Sequence, residues 1–267
     1  MGSSRDASEA PKLGDATGID VGCTPADPPS LIAHRGFAGE QPENTVPTFR
    51  SAARSADWIE LDCRPTADGV CAVFHDRRLD RCTPLSGVVA ETPAESLFST
   101  EVLGGGSIPT LEEALDAIPT HTGVVIDLKG RHGAVPTGAD ERWEWLEGPL
   151  ATVADTPHST LVSTFWEGAL EAAERYAPEL PTAYLFESGV DRAFEVAERH
   201  GCAALHPPAE LLVGGRNAPD GEEGFLARAH ERDLAVNVWT VTDHEEAAAL
   251  AALGVDSIIA DRADVLG

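Results

Sequence analysis

The sequence predicts an α/β fold of the (β/α)8 TIM-barrel class, carrying an extra β-hairpin strand and a small insertion at about residues 77–107. Three features predict it. Short apolar runs alternate with amphipathic stretches, turn and cap signals separate them, and the polar residues suited to chemistry gather at the ends of the runs. A length of 267 residues with 42% hydrophobic content suits a single barrel with one sizeable core.

Residues 1–30 are rich in Gly, Ser, Asp, Ala and Pro without hydrophobic periodicity and read as a flexible acidic N-terminal tail; residues 31–267 read as the barrel domain. The runs expected as parallel strands end at Ile32-Ala33-His34, Ile59-Glu60-Leu61-Asp62, Val124-Val125-Ile126-Asp127, Leu161-Val162-Ser163, Ala183-Tyr184-Leu185-Phe186, Ala203-Ala204-Leu205-His206, Val236-Asn237-Val238-Trp239 and Ser257-Ile258-Ile259-Ala260. A ninth run, Val70 to His75, follows the tight-turn signal Thr66-Ala67-Asp68-Gly69 and is expected to return antiparallel beside the second strand. Thr110 with Glu113, and Asp243 with Glu246, read as capping boxes that start helices, the second helix ending at Gly254. Arg77 to Ser107, rich in Thr, Gly and Ser, has no clear barrel element and reads as an insertion on the functional rim.

The charge balance, 19 basic against 45 acidic residues, gives a formal net charge of −26. Such a surface repels nucleic acid and anionic membranes, so the expected partner is a small molecule, with no nucleic acid and no stable membrane association; a homo-oligomer stays open. Only Lys12 and Lys129 among the basic residues are lysines. An acid-rich, lysine-poor surface stays hydrated in concentrated salt, which makes a halophilic, archaeal host the expectation. Cys23, Cys63, Cys71, Cys82 and Cys202 show no C-x-x-C pair and no regular spacing, so neither a disulfide framework nor a zinc site is expected. No apolar run reaches membrane-spanning length and the first residues lack the basic and apolar segments of a signal peptide, which makes the cytoplasm the expected location.

In a barrel, catalytic groups converge on the rim formed by the C-terminal ends of the strands. Glu60 and Asp62, two residues apart on one strand, point the same way. With Asp127 from the neighbouring strand they could hold one hard divalent cation, Mg2+ or Ca2+, although in an acid-rich chain the competing reading is ordinary solvated carboxylates. His34 and His75 sit at strand ends beside charged neighbours and are the natural acid/base pair, where a lone histidine would more often be structural. Arg35, with its planar fork, and Lys129, a rare lysine two residues after a strand carboxylate, suit a phosphodiester anion.

Leu31-Ile32-Ala33-His34-Arg35-Gly36 with Pro42-Glu43-Asn44-Thr45, then Glu60-Leu61-Asp62, Asp68-Gly69 and Val73-Phe74-His75-Asp76, resembles the opening signature of the glycerophosphodiester phosphodiesterase family. The similarity continues through Ile108-Pro109-Thr110-Leu111-Glu112-Glu113, Ile126-Asp127-Leu128-Lys129, Val162-Ser163-Thr164-Phe165, Val238-Trp239-Thr240-Val241 and the run from Gly254 to Arg262. The resemblance implies that Glu60, Asp62 and Asp127 bind the metal, that His34 and His75 are the acid/base pair, and that Arg35 and Lys129 hold phosphate. It also implies that the Arg77 to Ser107 insertion covers the glycerol pocket and that Phe165 and Trp239 line the mouth, where plain barrel core is the competing reading. Asp127 stands where the family usually has Glu, and Thr242 where it usually has Asn. The implied reaction is metal-dependent hydrolysis of glycerophosphodiesters to sn-glycerol 3-phosphate and an alcohol. The alternatives are a phospholipase D-like or lysophospholipid-specific phosphodiesterase on the same barrel and a non-catalytic phosphate-metabolite binding module.

Overall fold

In a computed structural model that describes residues 28–131, 143–213 and 222–267, the apolar runs become β1 (Ser30–Ala33), β2 (Trp58–Pro65), β3 (Cys71–Val73), β4 (Gly123–Leu128), β5 (Thr160–Thr164), β6 (Thr182–Leu185), β7 (Ala204–His206), β8 (Ala235–Val241) and β9 (Ser257–Ala260). The helices are α1 (Val46–Ala52), α2 (Ala94–Phe98), α3 (Leu111–Ala117), α4 (Glu147–Asp155), α5 (Glu167–Tyr176), α6 (Val190–His200), α7 (Ala209–Leu212), α8 (Glu222–His230) and α9 (His244–Leu253). The sheet order is β1-β9-β8-β7-β6-β5-β4-β2-β3, and pairing of β1 with β2 closes the parallel strands into an eight-stranded barrel. β3 lies outside the closure, antiparallel to β2, as the Asp68-Gly69 turn signal predicted. The expected tail falls almost wholly on residues 1–27, outside the described residues. None of the described helices is long and apolar enough to cross a membrane.

Every residue of β2 and β4 is buried, the pattern of strands covered on both faces. Alternation then sorts the side chains. Leu31, Ile59, Leu61, Val124 and Ile126 belong to the core between strands and helices, whereas Ile32, Trp58, Val125, Leu161, Ala183, Ala204 and Ile259 fill the barrel interior. Two and four residues beyond Trp58 on the same face come Glu60 and Asp62, and two beyond Val125 comes Asp127. The interior is therefore an apolar floor that turns polar toward the C-terminal ends of the strands.

Trp58 forms part of that floor, and it fits because its registered partner is Gly123. A Cβ on Gly123 would lie 2.2 Å from the indole Cδ2. Gly123→Ala is expected to lower the unfolding free energy by about 1–3 kcal/mol, the usual range for overpacking a dense interior, read as a lower urea midpoint.

The helix signals hold with one amendment. Thr110 and Glu113 form the complete capping box of α3, but at α9 only the forward half is made, Glu246 N–H donating to Asp243. The insertion has its own small core, in which Leu79, Cys82, Val89, Leu97, Val102 and Ile108 pack on Ala72 and Phe74, and it contains the short helix α2.

The cysteine expectation is corrected: Cys63 and Cys71 form a disulfide with Cα atoms 6.0 Å apart. The reason is register. β3 sets Cys71 opposite Pro65 and Val73 opposite Cys63, so Cys63 and Cys71 are diagonal neighbours on one face of the hairpin. Cys82 and Cys202 are free and buried, and burial pushes both thiols up to about 11.

Candidate active site

The chain leaves β1 through a turn at His34–Gly36 in which Arg35 takes a left-handed backbone conformation (φ 51°). A non-glycine residue adopts this region only when its surroundings enforce it. Here the Arg35 N–H donates to Glu60 Oε2 at 2.8 Å, which ties the turn to β2. Gly36 follows with φ 79°, and a Cβ there would meet Thr48 Cγ2 at 2.6 Å, so only glycine lets the turn seat on α1.

The structure brings all seven expected polar residues to one end of the barrel. Glu60, Asp62 and Asp127 are buried, and each offers a carboxylate oxygen within 4.8 Å of the others. The reason is the β2–β4 register, which pairs Asp62 with Asp127. His34 Nδ1 and Asp261 Oδ1 lie 2.6 Å apart, and His75 Nδ1 and Asp76 Oδ1 lie 2.7 Å apart. With the Nδ1 proton donated to a carboxylate, each ring keeps Nε2 for other work.

Lys129 and Arg35 sit deeper among the carboxylates than their reading as phosphate ligands suggested. Lys129 Nζ donates to Asp127 Oδ2 at 2.5 Å and lies 3.0 Å from Asp62 Oδ1. Arg35 Nη1 donates to Glu43 Oε1 at 3.2 Å, and its Nε lies 3.3 Å from Asp62 Oδ2. Phe165 and Trp239 pack edge to face at 5.6 Å between centroids, both half-buried, and Trp239 Nε1 donates to the His206 carbonyl at 2.8 Å.

Residues to which sequence reasoning gave no role complete the site. Asn44, itself left-handed, donates through Nδ2 to Asp62 Oδ2 at 2.7 Å and accepts from the Asp62 N–H. Glu43 and Asp76 are both gripped by Arg81: Nε donates to Asp76 Oδ2 at 2.6 Å, and Nη1 and Nη2 donate to Glu43 at 2.8 and 2.6 Å. One arginine of the insertion thus ties the carboxylate behind His75 to the one beside Arg35. Buried Arg64 donates to the His75 carbonyl through Nη2 at 2.7 Å and to the Gly130 carbonyl through Nη1 at 2.5 Å, fixing the backbone that presents His75. Glu43, Asn44 and Asp261 lie inside the quoted motifs and could have been asked for partners; Arg81 and Arg64 carry no signal of their own.

The electrostatics show a cluster short of positive charge. Burial, then Asp62 and Asp127, hold Glu60 well above the usual carboxylate range. Burial raises Asp127 as well, with Lys129 opposing. Burial also pushes Asp62 upward, but Lys129, His75 and Arg35 override it and hold Asp62 well below its ordinary value. Against the cost of burial, Asp127, Asp62 and Glu60 keep Lys129 firmly protonated. Burial lowers His34 despite its bond to Asp261 and holds His206 near 3, so His206 is neutral, its Nε2 2.9 Å from Asn237 Nδ2. Asp62 Oδ1 and Asp127 Oδ1 are buried without a hydrogen bond among the described residues. A buried Asp127 oxygen without a hydrogen bond and an Asp62 oxygen with only the Lys129 ammonium at 3.0 Å, beside a glutamate forced toward neutrality, are what a hard divalent cation would relieve, so the donor set fits one.

Fold and rim together define a (β/α)8 barrel whose C-terminal rim carries two carboxylate-paired histidines and a buried three-carboxylate cluster. The sequence profile of the glycerophosphoryl diester phosphodiesterase family matches residues 34–265. The Bacillus subtilis protein YhdW is 30% identical over 244 residues, covering 88% of this chain and 96% of that protein. A glycerophosphodiester phosphodiesterase of Bacillus altitudinis is 28% identical over 247 residues, covering 88% and 95%. Among solved structures, an Oleispira antarctica phosphodiesterase in complex with its product sn-glycerol-3-phosphate superposes with a TM-score of 0.73 at 25% identity, covering 90% of this chain and 96% of that one. The chain belongs to the glycerophosphodiester phosphodiesterase family and is an enzyme of that class, which sets aside the reading as a non-catalytic binding module.

Proposed function

We propose that this chain hydrolyses glycerophosphodiesters to sn-glycerol 3-phosphate and an alcohol, with one divalent cation held by Glu60, Asp62 and Asp127 and with His34 and His75 as the acid/base pair. The observation that carries the reading is the pairing of each imidazole, through Nδ1, with its own carboxylate, on the rim that also holds the buried three-carboxylate cluster. Asp261 and Asp76 orient the rings and stabilise whichever one is protonated. One histidine takes the proton of the attacking nucleophile, either water directly or the glycerol 2-hydroxyl with water opening the cyclic phosphate afterwards, while the other gives a proton to the departing alkoxide. Arg35 and Lys129 supply positive charge beside the phosphoryl group, and Asn44, Glu43 and Arg81 keep these groups in register. When bound, the cation supplies charge neutralisation and Lewis-acid polarisation of phosphoryl oxygens.

The test is release of sn-glycerol 3-phosphate from glycerophosphocholine in high KCl, the medium that the acid-rich, lysine-poor surface favours. Release is expected with Mg2+ or Ca2+ and its loss with EDTA. Full activity in EDTA, after dialysis against chelator, would remove the metal from the proposal while leaving the histidine pair to be tested by substitution.

A further inference from the structure

A cavity of about 560 Å3 opens on the same face of the barrel as the catalytic rim, but on its other side, where Glu187 and Ser188 follow β6, Pro208 and Glu210 follow β7, and Trp239 lies near the end of β8. In strand order, β9, which Asp261 follows, lies between the Trp239 strand and the His34 strand, so a single strand separates the cavity's side of the rim from His34. Among the described residues that line it, the charged ones are Glu187 and Glu210. Neither has an ion-pair partner among the described residues, and both are exposed.

Trp239 is held in place. Its Nε1 donates to the His206 carbonyl, its backbone N–H donates to the Pro207 carbonyl at 3.1 Å, and Phe165 packs edge-on against it. Because its one polar atom is committed to the protein, the indole has only its aromatic carbon surface to offer the cavity. A fixed indole with two carboxylates that have no ion-pair partner, and with no basic group among the described lining residues, is the chemistry that recognises a quaternary ammonium ion. A neutral alcohol can donate hydroxyls to the glutamates but has no charge for them to attract, and an anionic one is repelled.

We infer that this cavity selects the departing alcohol, and that the preferred substrates are glycerophosphodiesters whose alcohol bears a fixed positive charge. The inference rests on the proposed phosphodiesterase reading and names its substrate class. Trp239, Glu187 and Glu210 are specificity residues that take no part in proton transfer. In concentrated salt the contribution of the two exposed carboxylates is screened, and the contact with the indole face persists.

Two readouts test it. The first is the ratio of kcat/KM for glycerophosphocholine to that for glycerophosphoglycerol. In the unaltered chain the ratio is expected to favour choline by about tenfold, and in the Glu187→Gln/Glu210→Gln double variant to fall severalfold, through KM, at the lowest KCl at which the chain stays folded. The substitutions are on exposed side chains, so folding is not at stake. The second uses tetramethylammonium alone and follows tryptophan fluorescence, which needs no turnover. A saturable change is expected in the unaltered chain, weakened in the double variant and absent in Trp239→Leu. A ratio near one, or a ratio that the double variant does not move, would overturn the assignment, and so would the lack of any saturable tetramethylammonium signal. A chain that binds tetramethylammonium this way but cleaves neither diester would instead sink the phosphodiesterase reading and leave the cation pocket standing.

Discussion

His34→Ala is expected to lower kcat for sn-glycerol 3-phosphate release by about a thousandfold, within the range that a positioned acid or base contributes. The bond to Asp261 commits Nδ1 and leaves Nε2 as the one ring nitrogen able to exchange a proton with substrate. Asp261→Asn keeps the shape but replaces a carboxylate with an amide that no longer fixes the tautomer or supports a protonated ring, so a roughly tenfold to hundredfold loss is expected. KM should move little in either case, because neither group carries binding shared equally by ground state and transition state. His75→Ala should fall as far as His34→Ala, while Asp76→Asn also loosens Arg81 and with it Glu43. Assays at saturating substrate, with circular dichroism to check folding, would decide; a kcat within threefold of the unaltered chain for His34→Ala would exclude it as acid or base.

What could be read in advance follows from the range over which each constraint acts. Strand positions depend on local alternation, so all the parallel runs were legible, and the same period of two placed Glu60 and Asp62 on one face. The hairpin was legible because Asp68-Gly69 is a local turn signal, and that turn already contained the information that Cys63 and Cys71 come together. The register places them diagonally, but irregular spacing along the chain concealed it. Asp261 closes on His34 across 227 residues and Arg81 on Glu43 across 38, distances at which no periodicity speaks. The position of Lys129 illustrates the same limit. Its rarity marked it as functional, but only the β2–β4 register shows it bonded inside the carboxylate cluster rather than extended toward the rim.

The carboxylate cluster makes a second sharp prediction, because two of its members should respond oppositely when the protein is studied without metal. Asp62 is held ionised by Lys129, His75 and Arg35, and it also takes a hydrogen bond from Asn44. Asp62→Asn removes the charge that compensates a buried lysine and a largely buried arginine, which should cost about 3 kcal/mol of stability, the low end for breaking a buried pair. Glu60 is in the opposite position: burial and its two carboxylate neighbours oppose its charge. Glu60→Gln keeps an oxygen to accept the Arg35 N–H and removes the disfavoured charge, so stability in EDTA should hold within about 1 kcal/mol or rise. Urea denaturation with chelator present reads both values. Added Mg2+ or Ca2+ should then stabilise the unaltered chain by mass action and do much less for either variant, since each has lost a ligand charge. Both variants should be nearly inactive, so Glu60→Gln would be a well-folded, dead enzyme. If Glu60→Gln instead destabilised the metal-free protein as much as Asp62→Asn, the cluster would be a balanced structural network, and the case for a cation held at Glu60 would fail.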